Sequence, residues 1–212
     1  MKIDYKNLGV NTLVGVFAVL SVVLVAGCSS TYSMVPEEER WVEQDFDYLI
    51  GPGDSVEIFV WGNPELLASV PVRPDGKITT RLVEDIPASG KSPTQLARDI
   101  EEAYSKYVKD VVVSVTVNGF VGIPTQQVRV VGEASEPLSV PFKKHMSLLD
   151  LMIAVGGLTD FADGNKTVLV RGGSDDQRMY NLRVDDLIKD GDITANVALM
   201  PGDIVIIPES WF

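Results

Sequence analysis

An apolar stretch at the N-terminus ends at the only cysteine of the chain, and it decides how much of the sequence belongs to the fold. Lys2 and Lys6 precede a nearly uncharged run over residues 8–26, and the small pair Ala26-Gly27 stands directly before Cys28. A basic start, an apolar centre and small residues at the cleavage point are typical of a secretory signal peptide. A cysteine directly after the small pair is the bacterial lipoprotein signal, in which the thiol receives a diacylglycerol and becomes the new N-terminus.

The sequence therefore predicts a signal peptide over residues 1–27, cleavage between Gly27 and Cys28, and a covalent lipid on Cys28 in place of any cofactor. The alternative is a permanent transmembrane helix, since the stretch approaches the ~20 residues that span a bilayer. Asn11, Thr12 and three glycines disfavour that alternative. Ser29 stands where an aspartate commonly retains lipoproteins in the inner membrane. We therefore expect a lipid-anchored protein on the periplasmic face of the outer membrane.

The mature chain is acidic and has no cysteine left for a disulfide. Cleavage removes two lysines and one aspartate from the 18 basic and 30 acidic residues, which leaves a formal net charge of about −13. Such a chain repels nucleic acid and anionic headgroups, so we expect no nucleic-acid partner. Its stability must come from its hydrophobic cores.

Two turn motifs of similar sequence each lead into a strand. Residues 28–46 are small, polar and acidic without a period, which predicts a tether. Gly51-Pro52-Gly53-Asp54 then precedes an alternating run from Val56 to Val60, and Pro201-Gly202-Asp203 precedes Val205 and Ile207. Proline sets the first turn angle and glycine accepts a positive φ. We interpret these glycines and aspartates as turn formers and not as phosphate ligands.

The first unit, residues 47–120, combines strands with one helix. A hairpin is predicted at Arg73–Lys77, and a valine-rich strand at residues 111–117. Ser92 is expected to cap a helix whose first residue is Pro93, with Gln95 completing a capping box. The apolar stripe of that helix is expected in the core, and it consists of Leu96, Ile100, Ala103, Tyr104 and Tyr107.

The second unit, residues 126–209, repeats this composition after a boundary at residues 119–124. Strands are predicted at residues 127–133, 138–142, 167–171, 178–182 and 203–207. A helix is predicted from Ser147, with Asp150 three residues on and Gly156-Gly157 as its stop. Each unit is thus a small mixed sheet with one prominent helix, so the fold class is α+β with two domains.

No residue pattern identifies an active site. His145, Ser147 and Asp150 carry the side chains of a nucleophilic triad, but they fall within six residues and the last two already form a capping box. With one histidine and no free cysteine, we expect neither catalytic residues nor a zinc site. Residues 164–167 resemble a phosphate-binding loop only faintly and are read as a turn. The spacing of Asp160, Asp163, Asp185 and Asp186 does not match a calcium loop.

Several ordered motifs resemble a known family. The runs Tyr48–Ile58 and Val72–Ile78, with the helix and valine-rich strand, are similar to the polysaccharide biosynthesis/export domain. The later motifs are similar to a soluble-ligand-binding β-grasp (SLBB) domain: Val130–Glu133, Ser147–Asp150, Ala154–Asp160 and Pro201–Val205. In this order after a lipoprotein signal, they resemble a Wza-type export lipoprotein, in a short form like those of exosortase-associated systems.

The resemblance implies a structural role in exopolysaccharide or capsule export. It implies a homo-oligomeric ring that receives polysaccharide from an inner-membrane polymerase and chain-length regulator. Larger members add a C-terminal helix that lines a pore, whereas this sequence stops at Phe212. We therefore expect a separate outer-membrane β-barrel protein to complete the passage. The family has no catalytic residues, so Cys28 is the one site residue that the resemblance implies for this chain.

Two other classes of function remain open. One is a monomeric periplasmic module that binds carbohydrate or peptidoglycan, which a defined sugar affinity without a ring would support. The other is an envelope hydrolase, which the lack of a credible nucleophile or metal cluster disfavours.

Replacing Cys28 with alanine tests the anchor. Labelled fatty acid should be incorporated into the wild type and not into Cys28→Ala, because only the thiol can receive the lipid. Labelling that survives the substitution would contradict the lipoprotein prediction.

Overall fold

The computed structural model describes residues 32–41, 45–173 and 176–211. Their buried side chains form two hydrophobic clusters, one within residues 50–117 and the other within residues 128–207 together with Val35. The signal peptide, the cleavage site and Cys28 lie outside the described residues, so the lipid anchor stays a prediction.

The elements fall in chain order as follows. The strands are β1 (Ser33–Met34), β2 (Ser55–Val60), β3 (Ala68–Pro71), β4 (Lys77–Ile78), β5 (Ile86–Pro87), β6 (Val113–Asn118), β7 (Gln127–Gly132), β8 (Ser139–Pro141), β9 (Thr167–Arg171), β10 (Arg178–Leu182) and β11 (Ile204–Ile207). The helices are α1 (Glu37–Arg40), α2 (Pro93–Tyr104), α3 (Leu148–Ala154) and α4 (Val184–Ile188). The α+β class is confirmed.

The first domain is built on a small antiparallel sheet in the order β3-β2-β6. Alternate residues of β2 are buried, namely Val56, Ile58 and Val60, as expected for a strand with one covered face. Leu96 and Ile100 of helix α2 belong to the same core. The hairpin predicted at Arg73–Lys77 is only a turn, closed by the Arg73 N–H on the Lys77 carbonyl at 2.9 Å, because the flanking strands pair elsewhere, β3 with β2 and β4 with β5.

Helix α2 begins as the sequence predicts and ends earlier. The Ser92 hydroxyl accepts a hydrogen bond from the Gln95 N–H, and the Gln95 side chain accepts one from the Ser92 N–H, so the capping box is confirmed. Tyr104 is fully buried, but the helix ends there. Tyr107 is 65% exposed, so its assignment to the core was wrong: it follows the helix and no longer lies on its apolar face.

The second domain is built on a large mixed sheet in the order β1-β10-β9-β11-β7-β8. Strand β11 runs parallel to β7 and antiparallel to β9. Ser147 and Asp150 form the predicted capping box of helix α3, which packs Leu148, Leu151 and Met152 into the core. The sequence did not predict helix α4, a single short turn with Val184 and Leu187 buried.

The segment expected to be a tether contains regular structure. Strand β1 pairs in parallel with β10, Ser33 opposite Tyr180, and Val35 is buried in the core of the second domain. The Ala198 N–H donates to the carbonyl of Arg40 at 2.8 Å. An unpatterned polar segment thus gains order from tertiary contacts that its own sequence does not indicate.

Glu39 fastens this segment to the large sheet. Its carboxylate accepts hydrogen bonds from the Arg178 guanidinium at 2.6 Å and the Tyr180 hydroxyl at 3.1 Å. The charge of Glu39 raises the pKa of Arg178. Burial raises the pKa of Tyr180, and the hydrogen bond to Glu39 adds to that effect. The N-terminal segment is therefore held to the second domain by charge as well as by strand pairing.

A buried ion pair joins β9 to the second Pro-Gly-Asp turn. Arg171 donates to both carboxylate oxygens of Asp203, at 3.2 and 2.9 Å, and both side chains are almost fully buried. Burial raises the pKa of Asp203, and the guanidinium of Arg171 acts in the opposite direction. The other terminal nitrogen of Arg171 lies 3.9 Å from the Glu39 carboxylate. The bidentate geometry offsets part of the desolvation of the two charges.

Breaking this pair from one side should be costly. Asp203→Asn leaves the guanidinium buried without its anion and should lower the free energy of unfolding by about 3–5 kcal/mol. The double variant Arg171→Met/Asp203→Asn removes both charges and should lose less than Asp203→Asn alone. Urea unfolding followed by circular dichroism measures both. A double variant less stable than Asp203→Asn would contradict this account.

Candidate functional site

The side chain of Asp54 closes the first Pro-Gly-Asp turn. Its Oδ2 accepts the Gly51 N–H at 2.8 Å, and the Asp54 N–H donates back to the Gly51 carbonyl at 3.1 Å. The aspartate has no exposed surface. The predicted role as a turn former is confirmed, but this carboxylate has further partners.

The same carboxylate holds the chain that leaves the first domain. Its Oδ1 accepts the backbone N–H groups of Val121 at 2.6 Å and Gly122 at 3.2 Å, and its Oδ2 accepts the Tyr48 hydroxyl at 2.5 Å. Burial raises the pKa of Tyr48, and the hydrogen bond to Asp54 raises it further. Within the described residues, one carboxylate accepts four hydrogen bonds from separate segments. A buried charge requires such compensation.

Two glycines make this close approach possible. A Cβ added to Gly51 would lie 1.8 Å from the carbonyl oxygen of Gly122, so that position accepts no side chain. Gly122 has a φ of +69°, and a Cβ there would come 3.3 Å from the ring of Tyr48. The first Pro-Gly-Asp motif and the domain boundary therefore pack closely only because Gly51 and Gly122 have no side chains.

Phe120 precedes the segment that Asp54 holds. Its φ is +45°, in the left-handed region that bulky side chains rarely adopt. Its ring is 56% exposed and packs edge-to-face on Tyr48 with the ring centroids 5.6 Å apart. Strained residues persist where their surroundings fix them, and here the two backbone bonds to Asp54 follow directly. The junction thus holds an exposed aromatic ring in a defined place.

Gln126, at the start of the second domain, binds the segment that enters the first domain. Its side-chain oxygen accepts the Leu49 N–H at 3.0 Å, and its side-chain nitrogen donates to the Asp47 carbonyl at 2.9 Å. One residue earlier in the entering segment, Phe46 packs edge-to-face on Phe142 of the second domain at 4.9 Å. The chain therefore enters the first domain across the face of the second.

A cleft of about 560 Å³ lies at this junction. It is lined by Phe46, Tyr48, Gly119, Phe120, Val140, Pro141, Phe142 and Lys143. Four of these described residues are aromatic, and Lys143 is the one charged residue among them. Concave sites with mainly apolar walls and few polar groups are typical of ligand pockets. This cleft is the candidate functional site.

Comparison with known proteins identifies the family. The family model of the polysaccharide biosynthesis/export protein matches residues 42–118, and that of the SLBB domain matches residues 126–207. Together and in this order, the two matches support a Wza-type polysaccharide export protein. The EPS I polysaccharide export outer membrane protein EpsA of Ralstonia nicotianae (strain ATCC BAA-1114 / GMI1000) is 28% identical over 187 residues. The alignment covers 76% of this chain and 47% of EpsA, so the chain spans about half the length of that relative.

The two family matches also bear on catalysis. These families are export proteins without enzymatic activity, so the expectation that the chain is not an enzyme is confirmed. The residues considered as a triad have structural roles. The Ser147 hydroxyl donates to the Asp150 carboxylate at 2.7 Å at the start of helix α3, whereas His145 is exposed with a φ of +66°.

The other weighed residues have structural partners. Residues 164–166 form a helical turn before β9, as predicted. Asp163, Asp185 and Asp186 form ion pairs with Lys166, Lys189 and Arg183 respectively. In the described part of the chain no cluster of three or more histidine, cysteine or carboxylate side chains is arranged to hold a metal ion. Within the same residues no helix is long and apolar enough to span a membrane.

The sequence analysis did not find this cleft. Phe46 fell within the expected tether, Phe120 at the expected boundary, and Phe142 in a short strand. The signals that could have found it are aromatics recurring beside the boundary and the adjacent pair Lys143-Lys144 in an acidic chain. Their convergence depends on the contact of Asp54 with residues 67 and 68 positions away.

Asp54→Asn should weaken the junction without changing its shape. The asparagine NH₂ group cannot accept a hydrogen bond, so at least one buried donor loses its partner, at a cost of about 1–3 kcal/mol. Thermal or urea unfolding of the full chain measures the loss. Asp110→Asn is the matched control, because Asp110 is exposed and its φ of +50° suits asparagine. Equal stability of the two variants would contradict the role given to Asp54.

Proposed function

We propose that this chain is a lipid-anchored, periplasm-facing component of an exopolysaccharide or capsule export machine at the outer membrane. The observation that carries the proposal is the pair of family matches, in order, on two separate hydrophobic cores. The relative EpsA is named as a polysaccharide export outer membrane protein, which supports the same role here. The chain would act as a structural part of a conduit and carry out no chemical step.

The docked N-terminal segment supports a short anchor. Ser33 lies five residues after Cys28, and five extended residues reach about 18 Å at most. If Cys28 carries the lipid, the β1 edge of the large sheet stays within that distance of the membrane surface. The Glu39 contacts with Arg178 and Tyr180 would then connect the anchored segment directly to the second domain.

An exposed apolar patch supports assembly into a ring. Phe59 and Trp61 are 43% and 69% exposed, and their rings meet edge-to-face at 6.4 Å. The Trp61 N–H donates to the carbonyl of Val112, itself 54% exposed, at the end of the small sheet. Contiguous exposed apolar surface marks an interaction site. We assign this surface, the Phe59–Trp61 patch, to a neighbouring copy of the chain.

The proposed conduit has partners on both sides. An inner-membrane polymerase and chain-length regulator would deliver the polysaccharide, and a separate outer-membrane protein would complete its passage. The chain spans only about half the length of its relative EpsA. These partners are therefore proposed from the family resemblance alone. Genes for glycosyltransferases and a chain-length regulator beside this gene would support both.

The aromatic cleft favours a second candidate function. A monomeric carbohydrate- or peptidoglycan-binding module would also present exposed rings such as Phe120 beside a pocket. The two functions differ in assembly, because a monomeric module needs no contact between copies.

Replacing the patch tests assembly and export together. Phe59→Ser/Trp61→Ser should abolish rings in electron micrographs of gently extracted protein, because the copies lose their apolar contact. The same cells should keep the polymer inside and secrete little. Tyr107→Ser, another exposed aromatic, should behave like the wild type. Normal secretion by cells that lack the chain altogether would contradict the export function.

A further inference from the structure

The cleft at the domain junction lies beside the one pair of adjacent basic residues in the sequence. Lys143 and Lys144 directly follow Phe142, whose ring packs in the junction. The whole chain carries a net charge of −12, so most of its surface repels an anion. A local cluster of cations is therefore where an anionic ligand could approach.

Both lysines are available to a ligand. They are exposed, and within the described residues neither forms an ion pair or a side-chain hydrogen bond. Some other lysines form ion pairs with neighbouring carboxylates, as Lys91 does with Asp99 and Lys189 with Asp185. Lys143 also lines a second hollow of about 510 Å³ together with Lys144 and His145. Lys143 thus lines both hollows, and Lys144 follows it into the second.

The walls of the cleft suit a sugar ring. A saccharide has apolar C–H faces and polar edges, and aromatic rings present an apolar surface of matching size. Phe120 is exposed over the cleft and is held there by Tyr48 and by the backbone bonds to Asp54. A volume of about 560 Å³ lies within the range of small-molecule sites. A fixed ring loses little freedom on binding, which favours affinity.

No free carboxylate competes with the ligand among the described residues that line the cleft. Asp54 lies behind Tyr48, but it is fully buried and its oxygens already accept hydrogen bonds. Asp150 lines the second hollow, where it caps helix α3 and accepts from Ser147. The charge that faces the cleft is therefore positive.

We propose that this cleft binds an anionic saccharide unit of the exported polymer, with the sugar ring against Phe120 and its carboxylate at Lys143 and Lys144. The inference rests on the proposed export function and adds a substrate class, a polysaccharide that contains uronic acids or other carboxylated sugars. A neutral glycan would use the rings and leave both ammonium groups without a partner. An anionic lipid surface is the competing occupant.

Binding of a matched pair of oligosaccharides tests the proposal. The full-length lipoprotein, extracted in a non-ionic detergent, is titrated calorimetrically at low salt with tetragalacturonate and with its methyl ester, which has the same rings without charge. The acid should bind more tightly than the ester. Lys143→Gln/Lys144→Gln should weaken binding of the acid by about 3- to 30-fold, the range for two exposed ion pairs. It should leave the ester unaffected.

Two further variants complete the design. Lys106→Gln/Lys109→Gln removes two other exposed lysines and should leave both affinities unchanged. Phe120→Asn removes the aromatic ring and introduces a residue that tolerates the left-handed backbone. It should weaken binding of the acid and of the ester alike.

Three results would overturn the proposal. They are equal affinity for acid and ester, equal effects of the two lysine pairs, and binding to phosphatidylglycerol vesicles with none to the oligosaccharides. These outcomes concern the cleft alone. Secretion that continues without the chain would instead refute the export function, so the two failures are distinguishable.

Discussion

The buried carboxylate of Asp54 is the constraint on which the junction depends. It belongs to a turn that starts the first domain, yet it binds the backbone that leaves the same domain and the hydroxyl of Tyr48. An ionised group without solvent must be paired from all sides, so these segments can move apart only by exposing or orphaning the charge. The positions of Tyr48 and Phe120 in the aromatic cleft depend on these hydrogen bonds.

The two Pro-Gly-Asp turns are closed in the same way, but their aspartates make different long-range contacts. In each, the aspartate accepts the N–H three residues before it, Gly51 in one case and Met200 in the other. Asp54 then meets backbone donors at the boundary, whereas Asp203 meets the guanidinium of Arg171. Through Arg171 the second turn also lies near Glu39 and the docked N-terminal segment. One buried carboxylate thus ties the segment that leaves the first domain to its first turn, and the other ties the last turn of the second domain to strand β9.

Local elements were predictable because their signals are local. The capping boxes at Ser92 and Ser147 involve residues three positions apart, and strand alternation in β2 reflects one covered face. Strand β1 was not predictable, because two residues pair with a strand almost 150 positions away and gain nothing from their own propensity. The cleft was missed for the same reason. Its rings come from three segments, which long-range contacts bring together: the hydrogen bonds of Asp54 and the packing of Phe46 on Phe142.

The family resemblance predicted what physical pattern alone did not. Patterns gave two α+β units and excluded a zinc site, while the ordered motifs identified an export protein, which the family matches support. Neither source located the cleft or the Phe59–Trp61 patch, because both depend on which side chains the fold leaves exposed. The structure therefore adds surfaces to a family that lacks catalytic residues.

Native-state hydrogen exchange at the junction tests the central claim most directly. If Asp54 fixes the boundary, the amides of Val121 and Gly122 should exchange as slowly as the amides of strand β2, although they lie in a loop. The exposed turn amide of Gly62 provides the fast reference. Exchange of Val121 and Gly122 at the rate of Gly62 would show that the carboxylate does not hold the junction and would contradict the account.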